Sequence, residues 1–230
     1  MANHLDLEEQ EQLDQLKHFW NTWGTLISAV ALVVAGSLAA WNGYQYWQNR
    51  QAGQAAALFD AVEVAAKSGD QARMTQAFGD LKGRYAGTTQ AAQAGLAVAK
   101  NLVDAHNADA AKEALAWVAE NAGDEGLKAL AKLRLASVLM DQKNYDEALK
   151  QLSASVPPEF EAVFADRKGD VLASQDKHAE AIAEYTKAYK AFDEGVEYRR
   201  LVEIKLGALG ASPQGVAVAA AVAPAAEGAK

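Results

Sequence analysis

The sequence predicts an all-α protein, in which a single N-terminal transmembrane helix is followed by a solenoid of helical hairpins. Three observations carry that expectation. No Asp, Glu, Lys or Arg occurs from Phe19 to Asn49, and aromatic residues gather at both ends of this run. Beyond Arg50, Ala-rich amphipathic stretches alternate with short polar turns, which is how packed helices read. Within those stretches pairs of small residues recur at a fixed interval: Ala99 with Ala111, Ala136 with Ala148, and Gly169 with Ala181.

The chain opens on an acidic segment, 1–22, carrying Asp6, Glu8, Glu9, Glu11 and Asp14 before its first basic residue, Lys17. A cleavable export signal begins on a basic stretch, so this composition favours an uncleaved anchor. The membrane helix is expected over 23–47. Its apolar heart, Gly24 to Trp41, spans ~27 Å at helical rise, close to the hydrocarbon thickness of a bilayer. Trp20 and Trp23 lie at one end, and Trp41, Tyr44, Tyr46 and Trp47 at the other, as expected of amphipathic rings at headgroup depth. Orientation does not follow from charge, because only Lys17 precedes the span and only Arg50 and then Lys67 follow it closely.

Residues 48–209 form the predicted repeat domain. From Ala162 to Gly195, Gly169, Ala181, Tyr185 and Ala188 stand at the spacing of a tetratricopeptide repeat. There the small pair lets two helices approach, and an aromatic ring fills the space beside them. The preceding unit sets Ala136, Tyr145 and Ala148 in corresponding places, with Leu139 and Leu152 at further core positions. Its turn predicts Asn144 as an N-cap and Glu147 as the partner in a capping box. A third copy uses Ala99, Ala111, Leu115 and Val118, and the stretches 51–67 and 70–85 read as a degenerate hairpin parted at Ser68-Gly69. The segment 195–209 is expected to close the array, since an end repeat cannot leave its apolar face in water. The last stretch, 210–230, has almost no large side chain to offset the entropy of ordering, and is expected to be a flexible Ala/Val/Pro tail.

Repeat geometry places Lys100, Asp104, Ser137, Asp141, Asp166 and Asp170 on inner helices facing a concave groove, where a peptide or helix of a partner protein would bind. Chemistry of other kinds finds little support. A net charge of -8 disfavours nucleic acid, and the absence of cysteine removes thiol nucleophiles, thiolate metal sites and disulfides. His4, His18, His106 and His178 have no metal-ligand spacing, His106 and His178 falling at expected interhelix turns. Gly83, Gly87, Gly123 and Gly126 fall in expected turns with no strand before them, so no phosphate-binding loop is indicated. The acid pairs Asp124-Glu125 and Asp146-Glu147 sit at expected helix starts, where carboxylates meet the dipole favourably. The expectation is a non-enzyme without catalytic residues, cofactor, metal or small-molecule substrate.

Several stretches together resemble the YfgM family, ancillary subunits of the Sec translocon. They are the acidic start EEQEQLDQLKHFWNTWG, the aromatic-flanked span, LKALAKLRLASVLMDQKNYDEALKQL, and ADRKGDVLASQDKHAEAI. The resemblance runs from Glu8 to Leu209; the tail beyond Gly210 departs from it. It implies a bacterial inner-membrane protein with a cytoplasmic N-terminus and a periplasmic C-terminal domain. The implied partners are the SecYEG channel and a membrane-anchored PpiD-like chaperone, alongside the lipid around the anchor. The chain would be a protein-binding adaptor bringing periplasmic chaperone activity to the channel. A self-associating scaffold of the cell envelope is the alternative.

Overall fold

A computed structural model describes residues 7–212, and the described chain is helical between short turns. The tail expected over 210–230 lies outside the described residues except for its first three. Nine helices are described: α1 (Leu7–Ser68), α2 (Gln71–Tyr85), α3 (Thr89–Asp104), α4 (Ala108–Asn121), α5 (Glu125–Asp141), α6 (Tyr145–Leu152), α7 (Pro158–Ala173), α8 (His178–Ala191) and α9 (Tyr198–Ala208). The described residues divide into two compact units between Gln51 and Ala52, within α1.

In the first unit α1 is the only described helix long and apolar enough to cross a membrane. Its Leu26, Ile27, Val30, Leu32, Val33, Val34 and Leu38 are all exposed, as are the tryptophans and tyrosines at the two ends of the run. Side chains like these around a helix require an apolar surround. Three of its polar side chains turn back onto their own helix: Thr22 Oγ1 donates to the His18 carbonyl at 2.8 Å, Ser37 Oγ to Val33 at 2.8 Å, and Asn42 Nδ2 to Leu38 at 3.0 Å. Polar groups satisfied within one segment are what hydrocarbon demands.

The second unit is built of four hairpins, the part of α1 after residue 51 with α2, then α3/α4, α5/α6 and α7/α8, with α9 packed against α8. One turn is used at every hairpin. Gly69, His106, Lys143 and Asp176 hold φ of 72°, 59°, 62° and 59°, in the left-handed region. The next amide then reaches back five residues: Asp70 to Ala65 at 3.0 Å, Asn107 to Leu102 at 2.8 Å, Asn144 to Leu139 at 2.8 Å, and Lys177 to Leu172 at 3.0 Å. This is a Schellman closure, and it satisfies helix-end carbonyls that would otherwise be orphaned. Gly210, with φ of 72°, ends α9 in the same way, Ala211 N bonding Leu206 O at 3.0 Å.

Counted from each left-handed residue, the small pairs occupy the seventh position before it and the fifth after it, and all six residues are buried. Val62 and Met74 hold those two places in the first hairpin, also buried. Bulk replaces the small pair there, and both side chains join the core shared by α1 and α2. Gly169 shows the opposite extreme. A Cβ there would lie 2.5 Å from Cδ1 and Cε1 of Tyr185. Gly95 is equally tight, since its Cβ would lie 2.4 Å from Val118 Cγ2.

Several details differ from expectation. Asn144 stands at the N-cap of α6 but makes no side-chain cap; its amide donates instead to Gln142 Oε1 at 3.4 Å. Caps do form at Asp70, Thr88, Asn107 and Asp124, each accepting from the amide three residues on. Tyr145 is half-buried at the opening of α6, where α8 has His178, so Leu152 and not Tyr145 is the counterpart of Tyr185. His178 opens α8 and does not sit in the turn, Gly83 belongs to the last turn of α2, and Gly126 to the first of α5. In α9, Val202 and Leu206 are buried while Leu201 and Ile204 remain exposed, so the closing helix is not polar throughout its outer surface.

Candidate functional site: a groove and a buried latch

The first helices of successive hairpins, α3, α5 and α7, pack beside one another. Their residues two and six positions before each left-handed turn therefore share one surface. Lys100 and Asp104 come from α3, Ser137 and Asp141 from α5, and Asp170 from α7.

Four of the six expected groove residues line one cavity of about 350 Å³ between α3 and α5: Lys100, Asp104, Ser137 and Asp141. Ala99, Val103, Leu115 and Val138 give it an apolar floor, and Arg134 completes the rim. Lys100 Nζ donates to Asp104 Oδ2 at 2.7 Å, an i,i+4 pair on the exposed face of α3. Ser137 Oγ donates to the Leu133 carbonyl at 3.1 Å. Arg134, which sequence reasoning passed over, donates from one guanidinium nitrogen to the Leu96 carbonyl at 3.5 Å. It stands three residues, just under one helical turn, before Ser137, and this could have been read from the period.

The two aspartates of α7 are placed differently, and the expectation that Asp166 faces an open groove is corrected. Its side chain is 1% exposed, covered by α9. Lys205 of α9 donates from Nζ to Asp166 Oδ1 at 2.8 Å and Oδ2 at 2.9 Å, and to Asp170 Oδ1 at 2.7 Å. The hydroxyl of Tyr198 donates to Asp166 Oδ2 at 2.8 Å and that of Tyr185 to Asp170 Oδ1 at 2.8 Å. Arg167 lies 3.5 Å from Asp170 Oδ2. Both carboxylates are thus engaged in fastening α9 to α7 and α8.

The electrostatics follow from that burial. Desolvation alone would lower the Lys205 pKa, but the hydrogen bonds and charges of Asp166 and Asp170 outweigh it and raise the group above an ordinary lysine. Burial, reinforced by the hydrogen bond to Asp170, pushes the Tyr185 hydroxyl well up; burial, reinforced by Asp166, raises Tyr198. Elsewhere Asp109 is held low by its hydrogen bonds to Lys112 and Gln142. A cluster in which both carboxylates are paired internally holds structure together, whereas the α3/α5 cavity, open and apolar at its floor, suits a side chain from outside.

Comparison with known proteins adds the following. The tetratricopeptide repeat-like domain family matches residues 17–211. An ancillary SecYEG translocon subunit of Neisseria gonorrhoeae is 37% identical over 213 residues, covering 91% of this chain and 100% of that protein. Proteins of the same name from Haemophilus influenzae and Escherichia coli are 28% and 27% identical, over 75% and 73% of this chain and 85% and 80% of their own lengths. No solved structure matches the chain.

Proposed function

The chain belongs to the YfgM family of ancillary SecYEG translocon subunits, with their tetratricopeptide-repeat-like domain, and from that premise we propose that it is a membrane-anchored, non-catalytic adaptor at the Sec channel. The observation that carries this reading is the agreement with a relative of that name over that relative's entire length, anchor and array together. A shared repeat alone would mark only a binding module, because this architecture serves many unrelated partners.

In this reading α1 crosses a bacterial inner membrane with its N-terminus in the cytoplasm, and the array stands in the periplasm beside the channel. The groove on α3 and α5 holds a partner, a membrane-anchored PpiD-like chaperone, whose activity is thereby kept near emerging chains. Anchoring makes the encounter effectively two-dimensional and raises local concentration, so weak contacts suffice. Lys100, Asp104, Ser137 and Asp141 are the proposed contacts. Asp170 contributes only at the groove's edge, and Asp166 acts through the fastening of α9.

A photoactivatable residue at Asp141 of the full-length protein in its own membranes tests this. Adducts with channel subunits or a membrane-anchored chaperone are expected. A ladder consisting solely of multiples of this chain would instead establish a self-associating scaffold. Protease accessibility in intact and osmotically opened cells checks the orientation, with cleavage of the array expected only after opening.

A further inference from the structure

We propose that the α3/α5 cavity selects its partner by charge as well as shape, taking a segment with a bulky apolar anchor, a carboxylate facing Arg134 and a cation facing Asp141. The inference rests on the adaptor reading and deepens it.

The charges on the rim are not equivalent. Lys100 and Asp104 neutralise each other across 2.7 Å, so they offer a partner little net field. Arg134 and Asp141 form no ion pair among the described residues, and the contact of Arg134 with the Leu96 carbonyl leaves its charge uncompensated. Both are exposed on α5 and both line the cavity. Seven positions separate them, two helical turns or ~10 Å along the axis. Between them lie Val138 and, from α3 and α4, Ala99, Val103 and Leu115, a floor without charge.

An apolar side chain entering this cavity removes water from the floor, which is favourable in proportion to the apolar area covered. It also brings the flanks of its own chain to the two unpaired charges. One end of the cavity is then cationic and the other anionic. Such an arrangement fixes the direction and register in which a segment lies, and rejects one whose charges run the other way. A segment of uniform charge meets repulsion at one end whichever way it lies. The occupant is therefore an uncharged apolar stretch bracketed by one acid and one base about two turns, or three to four extended residues, apart.

The test uses full-length protein in its native membrane, with benzoylphenylalanine replacing Val103 on the cavity floor and adducts mapped to residues by mass spectrometry. Expected adducts fall on an apolar residue flanked by an acid and a base. Arg134→Gln and Asp141→Asn each lower the yield about 1.5- to 5-fold, the range set by exposed ion pairs. The charge-exchanged variant, Arg134→Asp with Asp141→Arg, keeps net charge and lowers it roughly ten-fold, as two attractions of that size become repulsions. Circular dichroism melting verifies that every variant remains folded. An unchanged yield in the exchanged variant overturns the proposal; so does the absence of adducts, or adducts only with lipid or a second copy of this chain. Co-purification of channel subunits is scored separately. A channel that co-purifies equally with the exchanged variant, together with an indifferent adduct, sinks the charge selection and leaves the translocon reading standing. A charge-dependent adduct on a protein unconnected with the channel does the reverse.

Discussion

Lys205 is the residue on which the closing end of the array turns. Its ammonium serves two carboxylates at once, one of them 1% exposed. Replacing it by Met removes the cation and leaves Asp166 buried with a single tyrosine hydroxyl, a loss of about 3 kcal/mol for a broken buried pair. Thermal melting of the detergent-solubilised protein checks this. The pH dependence has a definite sign. Lys205, Tyr185 and Tyr198 all bind their protons more tightly folded than unfolded. Their contribution is therefore complete below the unfolded values, about pH 10, and is lost as pH rises through the folded ones. Melting temperature is expected to fall above about pH 10, and less steeply in Lys205→Met. A drop of the same steepness in that variant would show that the cluster is not its source. Gly169 makes a second residue-scale case. Gly169→Ala forces the Tyr185 ring aside, and that ring is pinned by its hydroxyl to Asp170, so a cost of about 1–3 kcal/mol is expected.

At the scale of the element, the hairpin turn explains why some signals were legible and others were not. The small pairs show in the sequence because they bracket the turn at fixed distances on a 3.6-residue period. The turn residue itself does not, because His106, Lys143 and Asp176 carry side chains where glycine is usual. A left-handed non-glycine residue costs about 1–2 kcal/mol, and glycine gives back roughly 0.5–1 of that in backbone entropy. Lys143→Gly is thus expected to stabilise by up to about 1 kcal/mol, whereas Lys143→Val destabilises, β-branching being worst in that region. Denaturant titration of both variants decides it; a destabilised glycine variant would mean that Lys143 makes some contact of greater worth. The first hairpin is degenerate in sequence for a related reason. Val62 and Met74 fill the places of the small pair with bulk, so the interval of twelve carries no small residues to reveal it.

For the whole molecule, legibility depended on how far apart in sequence the cause of each feature lay. The span and the hairpins follow from neighbours a few turns away, so they could be read directly. Asp166 could not, because its fate is set by Lys205 and Tyr198 more than thirty residues later, and from its own helix it has the spacing of a groove residue. Gly95 likewise has meaning only against Val118 on the next helix. The anchor is the feature for which the local reading is sufficient, and it yields the last prediction. Aliphatic side chains exposed along α1 from Leu26 to Leu38 are stable only in lipid, so an alkaline carbonate wash is expected to leave the full-length protein in the membrane pellet. An arginine at the centre of a span costs about 2.5–3.5 kcal/mol. Val30→Arg combined with Val33→Arg therefore moves part of the protein into the supernatant. Neither residue belongs to the cores of the hairpin array, so the released material keeps its helical circular dichroism. Wild-type protein appearing in the wash would remove the membrane from the account of α1, and with it the local concentration on which the adaptor depends.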